Sequence, residues 1–281
     1  IEYFIYISDL CSVELPKIEN VKYFYIENKN HDFGALFEFK KNNNLIDYDA
    51  YIFINSSVRG PFTTSYNSSD WYKLFTSKLN DKVGLVGSSI CTLPLDSHNS
   101  IDFEKKFNFD PPYVHVQTTA YALSLEGYKI LLNNDFFNID NKLHKNKLVL
   151  RYEILLSQLL LNHGLSISSL LPTLENFSSK NKNIKFPDTA KNGDPLYKSG
   201  FYGRSLSPIE CVFIKTNRNI ISDKELASYT FTSLIKQYEN QLLNKDGVDL
   251  FQNSLKKLQS GRLFITQIKK LKLDLKKILK N

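Results

Sequence analysis

The chain contains no methionine, even at position 1, only one tryptophan and only three cysteines, although a protein of 281 residues ordinarily carries several methionines. Cys11, Cys91 and Cys211 are scattered and match no metal-ligand spacing. They read as free thiols of a reducing cytosol. His31, His98, His144 and His163 also lack ligand spacing, so structural or exposed roles are expected for them. No apolar run approaches the length of a bilayer span, and Glu2 and Asp9 bracket a strand-like start. Neither a spanning helix nor a signal peptide is expected. No Gly-x-Gly-x-x-Gly follows that first strand, which argues against a dinucleotide-dependent dehydrogenase. The net charge is +7, but much of it lies beyond Phe264. The body of the chain therefore offers little basis for a nucleic-acid-binding face, and no nucleic-acid partner is expected.

What is present is an ordinary globular composition with an aromatic excess. Phe and Tyr number 20 and 16, so an aromatic-rich core is expected. Alternation predicts strands over Glu2–Leu10 and Val21–Ile26. Tyr51–Ile54 and Val83–Val86 read as buried strands, and Val114–Leu123 and Ile209–Ile214 as further ones. Helical spacing is found over Asp32–Lys41 with Asp32 as N-cap, and over Trp71–Leu79 with Ser69 or Asp70 as cap. It recurs over Leu125–Asn133 with Ser124 as cap, and over Tyr152–Gly164 with a glycine stop. Alternating strands and helices indicate an α/β fold with a mostly parallel sheet. The polar stretch Asn176–Gly200 reads as a loop able to act as a lid. From Ser222 onward the pattern is helical, which gives two regions, 1–221 and 222–281.

The stretch Tyr48 to Pro61 (YDAYIFINSSVRGP) is the most telling. An apolar strand stops abruptly in Asn55, Ser56 and Ser57, then a cation, Arg59, and a Gly60-Pro61 turn. In open α/β sheets ligands bind at such carboxyl ends of strands.

Several blocks carry a family resemblance. They are Asn30 to Gly34 (NHDFG), Tyr48 to Phe62, His115 to Gln117 (HVQ), Tyr152 to Ser157 (YEILLS) and Gly203 to Arg218 (GRSLSPIECVFIKTNR). In this order, over roughly residues 1 to 220, the chain resembles GT-A-like glycosyltransferases of bacterial surface-polysaccharide synthesis, including rhamnan-type and capsule enzymes. The resemblance implies a GT-A-like, Rossmann-type sheet flanked by helices. It also implies a UDP- or GDP-linked sugar donor and a hydroxyl acceptor on a growing capsular or lipopolysaccharide glycan. Many such enzymes place a metal-binding Asp-x-Asp after the central strand, where this chain has Asn55-Ser56-Ser57. Neutral amides and hydroxyls are poor sole ligands for Mg²⁺ or Mn²⁺, so a divalent metal is not expected to be required. Asp47 and Asp49 lie nearby, but Asp49 precedes the strand and so sits at its wrong end.

Without a metal, cations must take up the charge of a departing diphosphate. Arg59, Lys215 and Arg218 are the candidates, with solvated surface charge as the alternative. Glu210, just before the last two in sequence, is a candidate salt-bridge partner for one of them. An inverting transfer needs a carboxylate base. Glu153 matches the place where the family often carries one, or else it is an acidic residue complementing a helix N-terminus. Asp110 and Asp32 are the fallback bases, and a retaining mechanism stays open. His115 and Gln117, two apart on one strand, face the same way and would assist catalysis and hold the acceptor, or form a bonded core pair. Asp32, Asn55 and Ser57 would hold the donor, and Tyr202 and Gly203 would close over it.

Phe264, Ile268, Leu271, Leu275 and Ile278 recur on one helical face flanked by six lysines. This is either a basic amphipathic helix on an anionic membrane, a coiled-coil seam of a homo-oligomer, or a helix leading to a further domain. The reading as a whole is a transferase at the cytoplasmic face of a membrane, working on a free or lipid-linked glycan acceptor. The alternatives are a non-catalytic nucleotide- or sugar-binding domain, or a membrane-associated scaffold.

Overall fold

The computed structural model describes residues 1–9, 11, 14–42, 48–64, 70–139, 141–180 and 193–230, and the backbone of 231–238. The chain divides into two compact units, Ile1–Thr230 and Phe231–Asn281. The fold is mixed α/β, with small sheets of parallel and antiparallel strands and covering helices.

β1 (Tyr3–Ser8) and β2 (Val21–Ile26) form a parallel pair. Their alternation puts Phe4, Tyr6 and Phe24 on one face, where Phe39 of α1 (Asp32–Asn42) meets Phe4 edge-on at 5.4 Å. α1 buries Phe33, Leu36 and Phe39, a three-residue spacing that keeps one stripe inward. Gly34 opens its first turn because a Cβ there would meet the Lys29 carbonyl oxygen at 2.0 Å.

The chain continues through β3 (Ala50–Ile54), β4 (Val58–Arg59), α2 (Lys73–Thr76), β5 (Val83–Gly87), β6 (Ile90–Thr92) and α3 (His98–Lys106). It then forms β7 (Val114–Val116), β8 (Ala120–Ser124) and α4 (Leu125–Asn133). The larger sheet has the order β3-β8-β5-β9, where β9 is Ser166–Ser169. Here the expectation of a mostly parallel sheet is corrected. β8 runs antiparallel to both β3 and β5, and only β9 is parallel to β5. The cause is the break in what reads as one strand, 114–123. Gln117, Thr118 and Thr119 interrupt it, so β7 pairs antiparallel with β6 and β8 pairs with β5. Both strand pairs kink together: Ser88 N–H donates to the Ala120 carbonyl (3.0 Å) and Gln117 N–H to the Ser89 carbonyl (3.1 Å).

α5 (Lys145–Leu148), a π-helical segment (Val149–Ile154) and α6 (Leu155–Asn162) follow one another without a break. The helix expected to begin at Tyr152 thus begins at Lys145. Glu153 lies in its widened middle, so complementing a helix N-terminus is not its role. Gly164 ends the helix at φ +85°, with Leu165 N–H bonded back to the Leu160 carbonyl at 3.0 Å. Ser124 caps α4 as its sequence implies, accepting from Gly127 N–H at 3.0 Å.

Two further expectations are corrected. The helix over Trp71–Leu79 shrinks to Lys73–Thr76, and the Asp70 carboxylate accepts from the Tyr72 hydroxyl instead of capping it. The strand over Ile209–Ile214 is instead α7 (Pro208–Cys211) followed by β10 (Ile214–Lys215). Ser207 and Glu210 form a reciprocal capping box with proline in the first turn, and this local chemistry outweighs the β-branched residues. α8 (Asp223–Tyr238) follows. Ser69, Asp47, the middle of the 176–200 loop (181–192) and the basic amphipathic stretch from Phe264 lie outside the described residues.

Candidate active site

β3 ends where the sequence turns polar, and Asn55 ties three elements together there. Its Nδ2 donates to Asp32 Oδ2 (3.3 Å) at the start of α1 and to the Thr118 carbonyl (3.2 Å) in the kink. Its Oδ1 accepts from Ser57 N–H (3.0 Å) and Ser57 Oγ (2.7 Å). Both ends of the amide are therefore committed to holding the loop, and the Ser57 hydroxyl hydrogen is spent on Asn55. The Ser57 carbonyl accepts from Thr216 N–H at 3.0 Å, which fixes the loop to the end of β10.

β10 pairs antiparallel with β4, so Lys215 lies opposite Val58 and Arg59 opposite Ile214. The entry to β10 is a tight turn. Phe213 N–H donates to the Cys211 carbonyl at 2.6 Å with Val212 between them at φ +61°. A β-branched residue at the centre of such a γ-turn is strained. Gly60 packs against it, since a Cβ there would meet the Val212 carbonyl oxygen at 2.3 Å. Glu210 is the partner of Arg204 through a two-pronged pair at 2.6 and 2.8 Å. It is therefore not the partner of Lys215 or Arg218.

Around this framework gathers a charged cluster: Asp32, Glu153, Asp194, Lys215 and Arg218, with His115. The Glu153 carboxyl titrates above its ordinary range, chiefly because burial disfavours its charge. His115 and Lys215 oppose that shift, and Asp32 and Asp194 reinforce it. Asp32 is also raised by burial, against its own backbone, Asn55 and Lys215. The Lys215 ammonium is pushed down by burial and by Arg218, while Glu153, Asp194 and Asp32 support its charge. Glu153 has no hydrogen-bond partner among the described residues, and its side chain keeps partial exposure. The widened π-helical turn that presents it is a recurrent device at functional sites.

His115 is buried, and its Nδ1 lies 3.1 Å from the Tyr113 carbonyl oxygen. A carbonyl only accepts, so Nδ1 carries a proton and donates, and Nε2 is the ring nitrogen left for other partners. Gln117 lies past the end of β7, in the kink, where its Oε1 accepts from the Ser89 hydroxyl. Ser88 Oγ and Thr119 Oγ1 in the same kink are buried without partners among the described residues.

Asp194 was not singled out in the sequence. It is 7% exposed; its Oδ1 accepts from Leu196 N–H (2.8 Å) and its Oδ2 from Arg218 Nη1 (2.7 Å). The Arg218 guanidinium carbon also lies 4.1 Å from the Tyr197 ring centre. The Gly193 carbonyl accepts from Thr92 N–H (2.9 Å), and a Cβ at Gly193 (φ +72°) would meet the Thr92 carbonyl oxygen at 2.2 Å. The Gly193-Asp194-Pro195 turn signal within a polar stretch was the only available hint.

Arg59 is exposed, makes no side-chain bond among the described residues, and is not among the charges acting on Glu153, Asp32 or Lys215. Tyr202 is exposed at φ +50° beside Gly203 at φ +80°, and its hydroxyl bonds Thr173 Oγ1 at 3.0 Å. Asp110 is exposed, just ahead of Pro111, and is not among the main influences on Glu153. Among the described residues no three His, Cys, Asp or Glu side chains converge as a metal site would require. An apolar recess of about 520 Å³ lies on the outer face of β1 and β2, and among the described residues its walls bear no acidic or basic side chain.

No protein-family model, no curated protein and no solved structure matches the chain.

Proposed function

We propose that the chain is a GT-A-like glycosyltransferase that moves a sugar from a UDP- or GDP-linked donor to a hydroxyl of a capsular or lipopolysaccharide glycan. The observation that carries this reading is Glu153: a carboxylate with raised proton affinity, no hydrogen-bond partner among the described residues, and the Lys215 ammonium in electrostatic reach. In the proposed inverting step, Glu153 takes the proton of the acceptor hydroxyl. The acceptor oxygen attacks the anomeric carbon, and the bond from that carbon to the diphosphate oxygen breaks. Lys215 and Arg218 stabilise the charge that collects on the leaving diphosphate. His115, through Nε2, positions the acceptor or the departing group. Asn55 and Ser57 serve in this reading by fixing the donor loop, and Arg59 by drawing the anionic donor in from the rim.

No metal step is needed in this scheme, and Mg²⁺ or Mn²⁺ is not part of it. No described helix is long and apolar enough to cross a membrane. A peripheral position on the inner membrane face, and a homo-oligomer, are proposed on the basic amphipathic sequence from Phe264 alone.

A thermal-shift screen of UDP-, GDP-, dTDP- and CMP-sugars, each with and without EDTA, tests the proposal. A rise in Tm with one donor that survives EDTA, together with donor turnover lost in Glu153→Gln, is the expected result. Binding without turnover would favour a non-catalytic sugar-nucleotide module. No shift with any donor would favour the scaffold reading.

A further inference from the structure

A cavity of about 300 Å³ opens behind β7, between the end of α6, the Phe109–Tyr113 turn and the Phe177–Ser179 segment. His115 belongs to the charged cluster, whereas the neighbouring strand position, Val114, lines this cavity, as alternation requires. The cavity is therefore separate from the cluster. Its walls are held in place. The Tyr113 hydroxyl donates to the Phe109 carbonyl at 3.2 Å, and Phe177 exchanges two backbone bonds with Ile167 at 2.8 and 2.9 Å.

Its lining combines the rings of Phe109 and Phe177 with the polar side chains of Asp110, Gln158, Asn162 and Ser178. Gln158 is 4% exposed. Its Nε2 donates to the Val114 carbonyl at 2.7 Å, which fixes the orientation of the amide. Its Oε1 takes no bond from any described residue, is not closed off from solvent, and is available as an acceptor at the cavity wall. Among the described residues no Lys or Arg lines the cavity and one carboxylate does, a lining that disfavours phosphate and nucleotides. Aromatic rings together with amides, hydroxyls and a carboxylate suit a neutral ligand that offers both apolar C–H surface and several hydroxyl donors.

We propose that this cavity is a second carbohydrate-binding subsite, separate from the charged cluster, that takes one neutral monosaccharide unit. The ligand class follows from the lining and does not depend on the transferase reading. The test is saturation-transfer NMR on the full chain with the methyl glycosides of glucose, galactose, rhamnose and N-acetylglucosamine. The expected result is saturation transfer to at least one glycoside, retained in Glu153→Gln and lost in Asn162→Trp, which fills the cavity from an exposed position. Gln158→Met is expected to weaken that binding about tenfold. If that variant fails to fold, Asn162→Trp still decides. Absence of transfer to all four glycosides overturns the proposal. So does a signal that survives Asn162→Trp, one lost in Glu153→Gln, or one displaced by inorganic phosphate.

Discussion

Arg218 donates to Asp194 at 2.7 Å with both side chains largely withdrawn from solvent, at 22% and 10% exposure. The pair joins the far end of the 176–200 loop to the segment after β10. Removing one partner leaves the other charge partly buried and unpaired. Arg218→Ala is therefore expected to cost about 2–3 kcal/mol, and Arg218→Ala with Asp194→Ala together less than the sum of the two. Urea unfolding of the two single variants and the double variant measures this. Additive losses would mean that the pair carries no coupling.

Glu153 gives a prediction in pH. Its folded-state pKa lies above the ordinary value of 4.5, so between those two pH values the folded chain holds a proton that the unfolded chain has released. Stability must fall as pH rises through that window and then level off. Glu153→Gln lacks this penalty. Its Tm should equal or exceed that of the parent above the window, while donor turnover falls by about a hundredfold or more. Tm curves against pH for both proteins check the sign.

Lys215 carries the opposite shift, its charge disfavoured by burial and by Arg218. Lys215→Met removes a cation that supports Glu153 and Asp32 in their charged forms. The acid limb of the turnover profile should move to higher pH, and nucleotide-induced Tm shifts should shrink. An unmoved acid limb would separate Lys215 from Glu153.

Two glycine substitutions separate steric from conformational cost. Gly34→Ala would drive a Cβ to 2.0 Å from the Lys29 carbonyl oxygen, so a loss of about 2 kcal/mol or more is expected. Gly164→Ala meets nothing within 4 Å but must hold φ +85°, so about 1 kcal/mol is expected. Urea midpoints at unchanged m rank them.

Much of the local structure was legible in the chain. β1, β2, β3 and β5, α1 and α4, and the glycine stop at Gly164 follow from alternation, three-and-four spacing and capping. The misreadings share a cause. Val114–Leu123 is apolar enough for one strand, but Gln117 and Ser89 bond each other across two kinked strands, a partner 28 residues away that no local pattern encodes. Pro208–Cys211 became helical because the Ser207–Glu210 box outweighed side-chain propensity.

For the candidate site, the sequence by itself determined which titratable residues were available in or beside apolar segments: Asp32, His115, Glu153, Lys215 and Arg218. Only the tertiary structure decided which of them meet. It set Arg59 on an exposed strand edge, spent Asn55 and Ser57 on each other and on Asp32, and brought in Asp194. The physical reason is that a charge's role depends on burial and on neighbours distant in sequence. Burial raises Glu153 and lowers Lys215, and neither effect is a property of the residue or of its local segment.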